Sequence, residues 1–137
     1  MIQSNDLRLG NKVLWNDLIC TVAGIQYFID ADENKEGHIV DLYNNGEMVQ
    51  TPYVSYINPI PLTPEILEKC GFENKKLGKD YWELPNEKCI NGWSEEFTFY
   101  LPYFEMNTYT GTVSIKALHQ LQNLYFALTG EELKINL

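Results

Sequence analysis

Apolar and polar positions alternate along the first sixty residues, and short polar pairs cut the alternation into segments. Lys12-Val13-Leu14-Trp15 reads as a strand, Asn16-Asp17 as its turn, and Leu18 to Tyr27 as the return strand. Gly24 interrupts that return where a bulge or bend would sit. Asp30 to Gly37 is polar and acidic and reads as a loop, followed by a third strand over His38-Ile39-Val40-Asp41-Leu42-Tyr43. Asn44-Asn45-Gly46 is the strongest hairpin signal, because Asn and Gly accept the positive φ that primed turns require. Glu47 to Thr51 pairs back, and Tyr53 to Ile57 reads as a further short strand ended by Pro59 and Pro61. Five short strands with tight turns predict a small, strongly bent antiparallel sheet or an SH3-like barrel.

The period then changes. Thr63 to Gly71 carries the punctuation of a short helix: Thr63 as cap, Pro64 at the first helical position, Glu65 at the positive dipole end and Gly71 as the stop. Ile66, Leu67 and Cys70 share one face of it. Tyr81-Trp82-Glu83-Leu84, Phe97 to Leu101 and Thr108 to Ile115 read as strands, with Pro102 and Asn107 breaking between the last two. From about Ala117 to Thr129 the spacing predicts an amphipathic helix. Leu118, Leu121, Leu124, Tyr125 and Leu128 form its apolar face, and Gly130 its stop. His119, Gln120, Gln122 and Asn123 are expected to face solvent. Glu131 to Leu137 alternates and reads as a short terminal strand. The fold class is therefore α+β, a single domain over 1–137 with a β-rich subdomain at 1–60 and an α+β subdomain at 61–137.

Composition narrows the function. The 137 residues are 45% apolar and 21% charged, enough for a core without metal or disulfide staples. The net charge of −9 comes with nine Lys and the lone Arg8, and the basic residues cluster only at Lys75-Lys76-Lys79. Nucleic acid is a disfavoured partner, because such binding draws on neutralised phosphates. A basic partner is favoured. Cys20, Cys70 and Cys89 are odd in number and widely spaced, as buried thiols of a reducing cytoplasm would be. Met1 to Asp6 lacks the pattern of a signal peptide, and no apolar run approaches membrane-spanning length.

Catalytic and metal motifs are poor. Neither His38 nor His119 adjoins a nucleophile motif. Asp30-Ala31-Asp32-Glu33-Asn34 alternates oxygen side chains as a calcium loop does, but Lys35 takes the glycine position and Asp41 stands where a bidentate Glu belongs. A solvated hairpin loop is the better reading. There is no phosphate cradle and no hydrolase or zincin motif. Aromatic residues instead mark a candidate contact region. Trp93, Tyr100, Tyr103 and Tyr109 surround Phe104 and Pro102, and His119 and Gln122 add the polar side of the last helix.

Three segments carry a resemblance: Leu7-Arg8-Leu9-Gly10-Asn11, Pro59-Ile60-Pro61-Leu62-Thr63 running into Glu65-Ile66-Leu67 and Cys70-Gly71-Phe72, and His119-Gln120-Leu121-Gln122-Asn123-Leu124-Tyr125-Phe126-Ala127-Leu128-Thr129-Gly130-Glu131-Glu132-Leu133. Together they resemble small proteins of Bacteroidota genomes, prophages and other mobile elements, a group with no established activity. The resemblance implies a bacterial or phage protein made in the cytoplasm and assigns no site residue. The expected function is a non-catalytic binding or adaptor protein, with a protein partner or self-association and no cofactor. Two rivals are an anti-defence protein that sequesters a nucleotide signal and a minor enzyme using Cys or His.

Overall fold

The computed structural model describes residues 1–74, 81–84, 97–100, 105–108 and 111–137; between 81 and 113 it describes backbone, with the side chain of Trp82. The chain packs as two compact units, Met1–Ile60 and Pro61–Leu137.

The first unit is a curled antiparallel sheet, half of a barrel, in the order β1 (Lys12–Trp15), β2 (Leu18–Asp30), β3 (Lys35–Asn44) and β4 (Glu47–Gln50). Two of its turns follow directly from residue type. Asn16 (φ 49°) and Asp17 (φ 63°) join β1 to β2, and Asn45 (φ 50°) and Gly46 (φ 83°) join β3 to β4. Both are two-residue turns with positive φ at both positions, whose twist matches the flanking strands. The entry to β1 is locked by Asn11. Its buried side-chain oxygen accepts from the Arg8 amide at 2.8 Å, and its carbonyl accepts from the Val22 amide at 2.9 Å.

β2 bends at Gly24. The ladder pairs Val22 with Leu42 and Gly24 with Asp41, so Ala23 is an extra residue. A bulge of this kind reverses which side chains face inward. Cys20 and Val22 are buried before it, and Ile25 packs on the core after it. Val13, Val40, Leu42, Val54 and Ile57 complete that core.

The acidic stretch is shorter as a loop than its composition suggests. Pairing continues to Asp30 opposite Lys35, so β2 and β3 form a long ribbon and the turn is residues 31–34. The cause is local: Asp30 Oδ1 accepts from the amides of Asp32 (3.0 Å) and Glu33 (3.1 Å), which closes the chain on itself. The expected strand at Tyr53–Ile57 is instead a 3-10 turn over Val54–Tyr56. Single bridges flank it, Tyr53 to Ile39 and Asn58 to Leu14. Pro52 and Pro59 on either side lack the amides a longer ladder would use.

The second unit opens with α1 (Pro64–Lys69), capped as its sequence predicts. Thr63 Oγ1 accepts from the Ile66 amide at 3.3 Å. At the other end Gly71 (φ 86°) lets the Phe72 and Gly71 amides reach the carbonyls of Leu67 and Glu68, a Schellman closure. Leu67, Cys70 and Phe72 are buried. A second four-stranded antiparallel sheet follows, in the order β5 (Tyr81–Leu84), β6 (Phe97–Tyr100), β7 (Glu105–Thr108) and β8 (Gly111–Ser114). Asn107 lies within β7 rather than in a break, and β7 pairs with β8.

The last helix, α2, spans Leu118–Thr129. Gln120 Oε1 accepts from the Ala117 amide, and Gly130 stops the helix in the left-handed conformation. Its buried face differs from the expected one. Leu118, His119, Leu121, Gln122 and Tyr125 are buried, whereas Leu124 and Leu128 are half-buried. The geometry explains the exchange: Gln122 stands roughly 40° from Leu118 around the axis, while Leu124 stands roughly 120° away on the other side. The final residues form no strand. Instead the Asn136 amide donates to the Lys69 carbonyl at 2.9 Å, satisfying the end of α1.

A Cβ placed at Gly24 would collide with the Asp41 carboxylate, which also accepts from Thr51 Oγ1 at 2.9 Å. Gly24→Ala is therefore expected to lower stability by about 1–3 kcal/mol through local overpacking, read as a reduced urea midpoint with unchanged slope.

Candidate functional site

The 3-10 turn sorts its own side chains. Residues three apart eclipse in this helix type. Val54 and Ile57 point one way, into the core, and Tyr53 and Tyr56 share another face. The two rings meet edge to face, with centroids 6.4 Å apart and planes at 67°. Backbone bonds hold the pair in place: the Val40 amide donates to the Pro52 carbonyl at 2.9 Å, and the Tyr56 amide to the Tyr53 carbonyl at 2.9 Å.

These tyrosines line an open cleft of about 400 Å³ together with Trp15, Asn16, Gln50 and Pro52. Trp15 arrives there as the last residue of β1, half-buried against the core. Lys35, at the start of β3, reaches across. Its ammonium lies 4.2 Å from the Tyr53 ring centroid and 4.7 Å from that of Tyr56, and it donates to Tyr56 Oη at 2.9 Å. That hydrogen bond raises the pKa of Lys35 above its ordinary value, so it is charged at neutral pH. The Tyr53 hydroxyl is buried and meets no hydrogen-bond partner among the described residues.

None of the contact residues named from sequence lines this cleft. Trp93, Tyr103 and Tyr109 fall outside the described residues, and Tyr100 is placed as backbone in β6, paired with Tyr81 and Glu105. His119 and Gln122 are buried, which removes them from any solvent-facing contact surface. For Gln122 the helix angle described above is the reason. Trp15, Lys35, Tyr53 and Tyr56 were not singled out. The signal for two of them was present in Pro52-Tyr53-Val54-Ser55-Tyr56-Ile57, where tyrosines three apart interleave with core residues also three apart.

Nucleophilic chemistry finds little support in Cys20 or Cys70. Both are buried. Burial pushes the Cys70 thiol up to about 12 and raises Cys20 as well, against a smaller opposing pull from Lys12. Cys20 and Tyr27 lie on one strand, and His38 sits opposite Tyr27. Seven residues of extended chain, roughly 23 Å, therefore separate Cys20 from the His38 register. Among the described residues no cluster of His, Cys, Asp and Glu is arranged to hold a metal ion. No helix there is long and apolar enough to cross a membrane. No family model, curated protein or solved structure matches the chain.

Two outcomes follow for these side chains. Tyr53→Phe removes a buried hydroxyl without a partner and should leave thermal stability unchanged or raised, since such a group costs about 1–3 kcal/mol. Cys70 should resist iodoacetamide at about pH 8 in the folded protein and react once urea unfolds it, because the thiolate is the nucleophile; mass spectrometry of the labelled peptides reads both states.

Proposed function

We propose that this protein is a small binding module of phage or mobile-element type, made in the cytoplasm, which acts by protein contacts rather than by catalysis. The bound segment is extended, contains proline and carries a basic residue. The observation that carries this reading is the open floor of Trp15, Pro52, Tyr53 and Tyr56. Extended proline-rich segments pay little ordering entropy and dock their rings on aromatic surfaces of this kind. The half-barrel is read as SH3-like, with the bridge from Asn58 to Leu14 standing where a fifth strand would close it.

Charge selects the partner. The chain carries −9, and Asp32, Glu33 and Glu36 surround Lys35 in sequence at the ribbon turn beside the tyrosines. A basic residue in the partner is steered toward those carboxylates. The same charge argues against a nucleotide. Arg8 is not among the residues lining the cleft, and its guanidinium donates to the neighbouring Leu9 carbonyl. The phage context rests on the resemblance of the three segments named from sequence.

The test is a titration of the full chain followed by NMR of the Trp15 indole. Three ligands are compared: proline-containing decapeptides flanked by Arg, the same peptides flanked by Glu, and a cyclic dinucleotide. Arg-flanked peptides are expected to bind best, and Trp15→Ala or Tyr56→Ala to weaken them by about 30-fold, the loss typical of an aromatic anchor. Absence of any peptide shift, or dinucleotide binding abolished by Lys35→Ala, overturns the reading.

A further inference from the structure

Beyond the cleft, the far half of β2 is an open sheet edge among the described residues. β1 covers β2 only from Leu18 to Thr21, and the Gly10–Asn11 turn extends this cover to Val22. Beyond the bulge the outward direction of the backbone can be deduced. Val40 pairs with Ile25, and the Val40 amide donates away from β2, to Pro52. In an antiparallel ladder both members of such a pair direct their N–H and C=O away from each other. Ile25, Tyr27 and Ile29 therefore present their backbone groups to the outside, and these groups have no backbone partner among the described residues. The side chains there are also uncovered: Tyr27 is 55% exposed, Phe28 44% and Ile29 64%.

Sheet edges are ordinarily blunted by charge or proline. This one has neither, since no charged residue or proline occurs from Leu18 to Ile29. We propose that the Gly24–Asp30 edge pairs antiparallel with the same edge of a second copy of this chain, about a twofold axis at Tyr27. That register is self-complementary. Tyr27 faces Tyr27 and Ile25 faces Ile29, so on that face aromatic and β-branched side chains meet their like across the seam, while on the other Phe28 faces Gln26. The three outward-bonding residues of each copy meet one another and exchange both of their hydrogen bonds. Asp30 falls opposite Gly24, which has no side chain to crowd it, so no like charges oppose. From Gly24 to Ile29 a foreign strand has no charge to recognise, whereas a second copy sets Ile25 against Ile29 and Tyr27 against Tyr27. The two-fold arrangement is closed and does not propagate into fibres.

Sedimentation equilibrium of the full chain tests this. The wild type is expected to form a concentration-dependent dimer, reached within roughly millimolar protein. Ile29→Lys should raise the dimer dissociation constant by about tenfold or more through a charge at the seam. Tyr27→Pro removes an outward amide that the β2–β3 ladder does not use, and should likewise give monomer with retained circular dichroism. Glu33→Gln, on the ribbon turn, should leave the dimer intact. A monomeric wild type over that range, or a dimer that folded Ile29→Lys and Tyr27→Pro both leave unchanged, overturns the proposal.

Discussion

The N-terminal unit depends on one extra residue in β2. Along β2, a strand of thirteen residues, the inward side is reset where the sheet bends, so that the core is continued past the bend by Ile25. Ala23 supplies that reset, between inward Val22 and inward Ile25. Without it, every side chain from Ile25 to Ile29 would turn to the opposite face. Gly24 permits the bend because the Asp41 carboxylate occupies the space a side chain would need. The cover that β1 and the Gly10–Asn11 turn give to β2 ends at Val22, just before this bulge. The bulge thus shapes the core, the bend and the open edge together.

A second constraint places the aromatic cleft. Between Pro52 and Pro59 the chain cannot continue as a paired strand, so it crosses the end of the half-barrel in a 3-10 turn. The threefold period of that turn sends Val54 and Ile57 into the core and leaves Tyr53 and Tyr56 outside as a pair. Burial of the first two side chains anchors the orientation of the second two. Lys35 then ties the far end of the ribbon to the pair through Tyr56. The cleft is a by-product of how the sheet closes on itself, which is why residues distant in sequence, Trp15, Lys35 and Tyr53, converge there.

Elements whose signals are local were legible in the sequence. The turns at Asn16-Asp17 and Asn45-Gly46, the cap and stop of α1 and the extent of α2 each follow from a few adjacent residues and their allowed φ. Composition alone makes the acidic segment a loop, whereas Asp30 closes a tight turn on the amides of Asp32 and Glu33 and the ladder runs on to Lys35. The fifth strand misled because its apolar residues fit both a twofold and a threefold period over so short a run. The aromatic residues dense in sequence, Trp93, Tyr103 and Tyr109, lie outside the described residues, whereas the cleft gathers residues dense in space.

The sequence by itself determined the short-range punctuation: which residues turn, cap and stop, and that no charge interrupts β2 from Leu18 to Ile29. Those properties depend on backbone sterics and side-chain chemistry within a few positions. Only the tertiary structure decided which face of α2 is buried: Gln122 is polar by type yet stands roughly 40° from Leu118 around the axis, and His119 is buried as well. Only it decided that Tyr53 and Tyr56 line one cleft with Trp15, and that the edge of β2 beyond the bulge is open among the described residues. Each of these rests on packing between segments far apart along the chain, where geometry rather than residue type sets what touches what.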